Sequence, residues 1–265
     1  MFITIFKGGD SMNYVLITGA TGGIGYELAK IFALKGYGLI LISSNENRLK
    51  ETKERLRSQF SVPIYIFEQD LTKLGAAQRI YDMVISKQIR ISILVNNAGC
   101  GLVGATEQID LQQDEDMLIM NVINLVELSK LFLRKMFQYG SGKILNVSST
   151  GAFQPGPYTS TYFASKAFVL SYSRAIRYEA KSKGVQIASL CPGATKTNFF
   201  TKEGTNTPVN AMPAKLVAEI AYKGLNANKE IIIPGVRNKI LRIVPLKLKM
   251  YFVAHMKNRS TTKYK

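Results

Sequence analysis

The 265-residue sequence predicts an α/β chain, a doubly wound parallel sheet of seven strands covered by helices on both faces. Three observations predict it. Apolar runs of strand length alternate with segments of helical periodicity from Tyr14 to Pro234. The turn that joins the first strand and helix is rich in glycine, Thr18-Gly-Ala-Thr-Gly-Gly-Ile-Gly25. Tyr162 and Lys166 stand four apart at the start of a later helical pattern, so they share one helix face.

With 46% hydrophobic and 20% charged residues, the composition is that of a globular protein, and no apolar run approaches the roughly 20 residues that cross a bilayer. One domain is expected over residues 12–235. Residues 1–11 are expected to be an extension ahead of it, because Met12 stands directly before the first strand. Cys100 and Cys191 have no metal or redox spacing, which suits a reducing, cytoplasmic compartment with both as small packing residues. The single histidine, His255, lies in the basic tail, so no metal site and no His-based triad is expected. A net charge of +17 permits anionic ligands, membranes or nucleic acid as partners.

The first strand, Tyr14–Thr18, runs into the glycine turn, after which Ile24, Leu28, Ile31 and Phe32 recur at helical spacing until Gly36. This order presents backbone N–H groups at a helix N-terminus, where a pyrophosphate is stabilised. Gly19, Thr21, Gly23, Ile24 and Gly25 are therefore candidate dinucleotide contacts. The second strand, Gly38–Ser43, ends where the adenosine ribose of such a ligand lies. An acid there binds the 2′-hydroxyl, and an Arg accepts a 2′-phosphate. The positions hold Ser43, Ser44 and Asn45 with Arg48 a turn later, so NADP(H) is favoured over NAD(H), with Ser44 and Arg48 as contacts.

A charged helix is expected over Asn45–Phe60, with Leu49, Leu56 and Phe60 inward. The third strand, Pro63–Phe67, leads to Asp70 and Leu71. Here the carboxylate either accepts from an adenine amino group or, together with Thr72, caps the next helix. The fourth, Ile91–Val95, delivers Asn96-Asn97-Ala98-Gly99, with small residues where a flat ring passes and amides that tie adjacent strands. One long helix over Gln112–Phe137 carries Asn121 among Met117, Met120 and Val122. An Asn inside a helix needs a reason, such as a bend or a held water near a site.

The strand-like run Gly142–Ser149 ends thirteen residues before Tyr162. A free phenol titrates at about 10, and an ammonium one turn away favours the phenolate. Tyr162 is thus a candidate general acid and base, with the Ser149 hydroxyl placed to hold a substrate oxygen. The sixth strand, Val185–Cys191, ends in Pro192-Gly193-Ala194-Thr195-Lys196-Thr197, a rigid turn with hydroxyls that suits a carboxamide and phosphate ligand. Residues 198–212 read as a mobile polar loop with Phe199 and Phe200, a candidate lid. A helix over Pro213–Asn226 and the strand Glu230–Pro234 close the series. The tail, residues 236–265, holds nine Lys or Arg and no acid, mixed with apolar residues. It reads either as a helix that roofs a substrate pocket or as an amphipathic segment on anionic lipid.

Several of these marks in one order resemble the short-chain dehydrogenase/reductase family, single-domain type, from about Asn13 to Pro234. They are Thr18-Gly-x-x-x-Gly23-x-Gly25, Asp70, Asn96-Asn97-Ala98-Gly99, Asn121, Ser149, Tyr162-x-Ala-Ser-Lys166, and Pro192-Gly193 with Thr197. The resemblance implies a Rossmann fold with a nicotinamide cofactor. It implies that Tyr162 gives its proton to a carbonyl oxygen as hydride arrives, while Ser149 holds that oxygen. Lys166 would bind the nicotinamide ribose and lower the Tyr162 pKa, and Asn121 would position a water in the proton relay. It also implies cofactor contacts from Leu71, Asn97, Ala98, Gly99, Pro192, Gly193, Thr195 and Thr197, and a dimer or tetramer through the helices of Asn121 and Tyr162. The family's NADPH users usually carry a basic residue where Gly22 or Ser44 stands here.

The function expected is interconversion of a carbonyl, a hydrophobic ketone or 3-oxoacyl group, with a secondary alcohol. The competing expectation is a dinucleotide sensor or a membrane-associated interaction protein with little turnover. An intact Ser149, Tyr162 and Lys166 argues for the enzyme. Nucleic acid is not an expected partner, because the bases crowd into the tail without a stacking platform or recognition motif.

Overall fold

Runs such as Val15-Leu-Ile and Leu39-Ile-Leu-Ile, apolar at consecutive positions, suit strands buried on both faces. In the computed structural model, which describes residues 12–202 and 205–261, they form the centre of a parallel sheet. Its strands are β1 (Tyr14–Thr18), β2 (Gly38–Ser43), β3 (Ile64–Glu68), β4 (Ile91–Asn96), β5 (Gly142–Val147), β6 (Val185–Leu190) and β9 (Ile231–Ile232). Their order is β3-β2-β1-β4-β5-β6-β9, the doubly wound arrangement expected. A separate ladder pairs β7 (Thr195–Lys196) with β8 (Met212–Pro213). The expected extension over residues 1–11 lies outside the described residues.

The helices fall on both faces. Val15 and Ile17 of β1 point into one core, with α1 (Gly23–Leu34) and α8 (Ala214–Asn226) against it. Leu16 points into the other, which is covered by α3 (Ala76–Ser86), α5 (Asn124–Tyr139) and α6 (Ser160–Ala180). The chain leaves β1 toward β2 and β3 and returns to β4 on the opposite side. That reversal opens a crevice at the carboxyl ends of β1 and β4, where doubly wound sheets take their ligands.

Several elements differ from expectation. The charged helix α2 (Glu46–Arg57) stops short of Phe60, and the Asn45 side chain caps it by accepting from the Arg48 backbone N–H at 2.9 Å. The last sheet strand is only two residues long, pairing Ile231 and Ile232 with Ser189 and Leu190 of β6. Neither Asp70 nor Thr72 caps α3. The Asp70 carboxylate turns back on Thr72 instead, accepting from its N–H and hydroxyl at 2.9 Å each, and Gly75 stands at the N-cap.

The first turn of α3 is capped from outside by Asn124. This fully buried side chain accepts from the Ala77 N–H at 2.9 Å and donates to the Leu71 and Lys73 carbonyls at 2.8 and 3.1 Å. Replacing Asn124 with Leu strands those three backbone groups, and burial of unpaired groups is costly. A loss of at least about 2 kcal/mol in unfolding free energy is expected from urea titration; an unchanged midpoint would contradict the cap.

Where one long helix was expected over Gln112–Phe137, with a bend as one reason for Asn121, α4 (Leu111–Leu118) and α5 are joined by a π-helical turn, Ile119–Ile123. Asn121 sits inside it. Such a wide turn is how a helix accommodates a side chain that bonds elsewhere.

Candidate active site

The glycine turn is built for close approach. Gly23 has φ +54°, and a Cβ there would lie 2.7 Å from the Thr197 methyl carbon, so the turn and the Pro192–Thr197 segment meet at this point. At Gly25 a Cβ would collide with the Gly19 carbonyl and reach 2.6 Å from Asn97 Nδ2. That amide nitrogen donates to the Thr18 and Gly19 carbonyls at 2.9 and 3.1 Å, and the Thr18 hydroxyl accepts from the Asn97 and Ala98 N–H groups. β1, the turn and the end of β4 therefore form one unit. No side chain caps α1, and the flank of Gly22 is open. This cradle of backbone N–H groups fits a pyrophosphate. Gly25→Val forces backbone to move, so at least tenfold weaker NADPH binding is expected by about the cost of such overpacking; unchanged affinity in a titration would contradict the cradle.

At the end of β2 the Thr21 and Ser43 hydroxyls are 3.2 Å apart, and Ser44 and Arg48 are exposed. Leu71 is buried, and Asp70 is held in its own turn. Ile24 is half-buried on the core side of α1.

On the other side of the crevice Lys166 is buried and donates to the Val147 carbonyl at 3.1 Å, two residues before Ser149. Its Nζ lies 5.8 Å from the centroid of the Tyr162 ring. A Cβ on Gly99 would come within 3.0 Å of this nitrogen and 3.1 Å of Asn121 Oδ1, so the small residue is what lets the lysine and the asparagine close in together. Asn121 accepts from the Cys100 N–H at 3.1 Å and donates to the Cys100 carbonyl at 2.9 Å and Ser165 Oγ at 3.2 Å. Burial pushes the Lys166 ammonium down to about 8, with the Cys100 and Cys191 thiols acting in the opposite direction. Burial pushes the Cys191 thiol up to about 12, which makes it an inert packing group.

Ser149 opens a 3-10 turn, Thr150–Phe153, and its hydroxyl accepts from the Gly151 N–H at 3.0 Å. That turn packs on the Phe163 ring, beside Tyr162, where a Cβ on Gly151 would lie 3.2 Å from the ring. The Pro192 carbonyl accepts from the Thr150 N–H at 2.9 Å, and the Thr195 hydroxyl donates to the Gly193 carbonyl at 3.0 Å. The expected polar loop contains structure. Its helix α7 (Phe199–Lys202) brings the Phe199 ring to 5.5 Å from that of Tyr162. Residues 203–204 of the loop lie outside the described residues.

The structure thus gathers Gly19, Gly23, Gly25, Asn97 and Thr197 on one side of the crevice, and Gly99, Asn121, Tyr162 and Lys166 on the other. Phe199 lies on the expected lid, whereas Asn124 was missed as part of this region. Asn124 carries the same signal as Asn121, an amide among Val122, Ile123 and Leu125. No group of metal-binding side chains occurs among the described residues.

Residues 13–208 match the family model described as short chain dehydrogenase. The very-long-chain 3-oxoacyl-CoA reductase of Anas platyrhynchos is 32% identical over 203 residues, which make up 74% of this chain and 64% of that protein. Sulfoacetaldehyde reductase 2 of Chromohalobacter salexigens is 34% identical over 187 residues, 70% of this chain and 73% of that one. A solved structure, a short-chain dehydrogenase from Sphingobium yanoikuyae in complex with NADPH, superposes with a TM-score of 0.80 at 28% identity, covering 88% of this chain and 96% of that one.

Proposed function

Because this chain belongs to the short-chain dehydrogenase family and is an NAD(P)-dependent oxidoreductase, we propose that it interconverts a carbonyl and a secondary alcohol, with NADP(H) favoured over NAD(H). The observation that carries this reading is the buried Lys166, aimed past Gly99 and lying beside the Tyr162 ring. When bound, the nicotinamide supplies or accepts the hydride.

The chain's own residues do the rest. The Gly19–Gly25 turn holds the pyrophosphate, with Thr21 and Ile24 beside it, and Thr195 and Thr197 border it from the segment that meets the turn at Gly23. Ser44 and Arg48 meet the adenosine ribose and its 2′-phosphate, while Asp70 and Leu71 border the adenine. Asn97, Ala98 and Gly99 line the floor, and Pro192 and Gly193 meet the carboxamide. Tyr162 donates its phenolic proton to the carbonyl oxygen that Ser149 holds. Lys166 is still mostly protonated at neutral pH, since about 8 lies above it, and so it favours the phenolate left behind. Asn121 widens its helix and reaches toward this pair, where it orders a water that returns the proton.

The substrate is read as a hydrophobic ketone or 3-oxoacyl group. Phe199 and Phe200 on the lid, and the similarity to a very-long-chain 3-oxoacyl-CoA reductase, support an apolar or acyl carbonyl. A dimer or tetramer through α4, α5 and α6 is supported by Leu111 on α4, Ile123 in the π-helical turn and Phe168 on α6, all apolar and exposed. Cys100 and Cys191, neither of them in a disulfide, support a reducing, cytoplasmic setting. No described helix is long and apolar enough to cross a membrane. Peripheral membrane contact would fall to the tail, whose exposed Ile243, Tyr251 and Phe252 are mixed with bases.

The test is NADPH oxidation with a panel of aryl and alkyl methyl ketones and 3-oxoacyl thioesters, with alcohol product identified by mass spectrometry. Turnover of at least one class supports the reading. Cofactor binding without turnover of any would favour a dinucleotide sensor.

A further inference from the structure

The wall around Ser149 is basic in a particular way. Between Leu128 and Lys202 the sequence holds one acid, Glu179, near the end of α6 and away from the crevice. From Ile231 to Lys265 it holds none. The short helix α9 (Val236–Ile240) and the longer α10 (Leu246–Thr261) follow β9. From this stretch two cations converge on the 3-10 turn that Ser149 opens.

Lys249 is only 7% exposed, and its Nζ donates to the Phe153 carbonyl at 3.0 Å. Arg242 places its guanidinium 5.2 Å from the centroid of the Phe153 ring. Among the described residues neither forms an ion pair. An ammonium has three donors, and a neutral carbonyl answers one of them, so the others are left to meet an anionic ligand. Asn238 of α9 is packed on Gly193 and donates to the Pro234 carbonyl at 2.6 Å, which fixes the start of the segment against the crevice. Like-signed charges lining one cleft concentrate oppositely charged ligands there.

We infer that Lys249 and Arg242 form a binding site for an anionic group on the substrate, so that the preferred carbonyl compound is an amphiphile with a carboxylate, sulfonate or phosphate at one end. This deepens the carbonyl–alcohol reading above and rests on it. The anion sits on the cations at Phe153, and the apolar chain runs from there toward Ser149 and Tyr162.

The experiment compares kcat/KM for 5-oxohexanoate and 7-oxooctanoate with those for their methyl esters, in the wild type and in Arg242→Gln, Arg242→Lys and Lys249→Met. A carboxylate preference of about tenfold is expected in the wild type, as for a charge-assisted contact, retained in Arg242→Lys and lost in Arg242→Gln and Lys249→Met. Esters turned over as well as carboxylates would overturn the site. So would a Gln or Met variant that slows both substrates alike, since that is the signature of a tether that only shapes the turn. Calorimetric titration of the NADPH-loaded protein with octanoate reads the same site without turnover. Saturable binding that disappears in Lys249→Met supports the anion site even if no probe ketone is reduced, a result that would count against the carbonyl reading alone. Absence of saturable octanoate binding overturns the anion site.

Discussion

Tyr162→Phe is expected to lower kcat by about 10²- to 10⁴-fold while leaving NADPH affinity close to the wild-type value. The substitution removes one oxygen and keeps the ring. That ring packs 5.9 Å from Phe163 and 5.5 Å from Phe199, so the start of α6 and the lid contact survive. Lys166 keeps its bond to the Val147 carbonyl, and the backbone cradle around Gly25 is untouched. What is lost is the proton that must reach the carbonyl oxygen. Turnover retained within a few-fold would remove Tyr162 from the role of acid and base; loss of both turnover and NADPH binding would point to a structural defect instead.

The second large effect is a trade between stability and activity at Lys166. An ordinary lysine titrates at 10.5, and burial brings this one to about 8. Forcing the charged form to persist at neutral pH therefore costs on the order of 3 kcal/mol, before the bond to Val147 is counted. The sign follows from proton counts. Between about 8 and 10.5 the unfolded lysine holds its proton and the folded one has lost it. Stability from this group thus rises as pH climbs through that window. Below it both states are protonated, and the cost is constant.

Lys166→Met removes the charge. The cofactor-free variant is expected to unfold at higher urea than the wild type at pH 7, and to lack the wild type's gain in stability between about pH 8 and 10.5. Turnover is expected to fall at least about a hundredfold, because the phenolate loses its neighbouring cation and the nicotinamide ribose loses a donor. A variant that is both less stable and equally pH-sensitive would contradict the desolvated ammonium. Activity close to wild type would contradict its function.

The pattern of strands was legible because it depends on local composition. Leu39-Ile-Leu-Ile can hardly be other than a strand buried on both faces, and the glycine turn announces a close backbone approach wherever it follows a strand. Tyr162 and Lys166 were legible for a similar reason, since four-residue spacing fixes a shared helix face. What the sequence could not reveal depends on contacts across long separations. The π-helical turn at Asn121 answers to the Cys100 backbone and to Ser165, 44 residues away. The cap on α3 comes from Asn124, 47 residues beyond the N–H it serves, so inspection of Asp70 and Thr72 led to the wrong residue.

The lid and tail were harder for another reason. Residues 198–212 read as a mobile polar loop and candidate lid, yet the β7–β8 ladder and the Phe199–Tyr162 contact order part of it. In the tail, apolar and basic residues alternate without a clean period, so periodicity could not say which side faces the domain. Lys249 is one of nine bases in the tail, and its burial against Phe153 has no counterpart in the local sequence.

The most direct measurement is the dissociation constant of NADPH, set against that of NADH, from nucleotide fluorescence. It is made at fixed moderate salt because a chain of +17 attracts any anion weakly. Saturable NADPH binding, tighter than NADH and lost in Gly25→Val, is the expected result. Failure of both nucleotides to saturate, or binding that Gly25→Val leaves intact, would contradict the crevice at β1 and β4 as the site of a nicotinamide-dependent oxidoreductase.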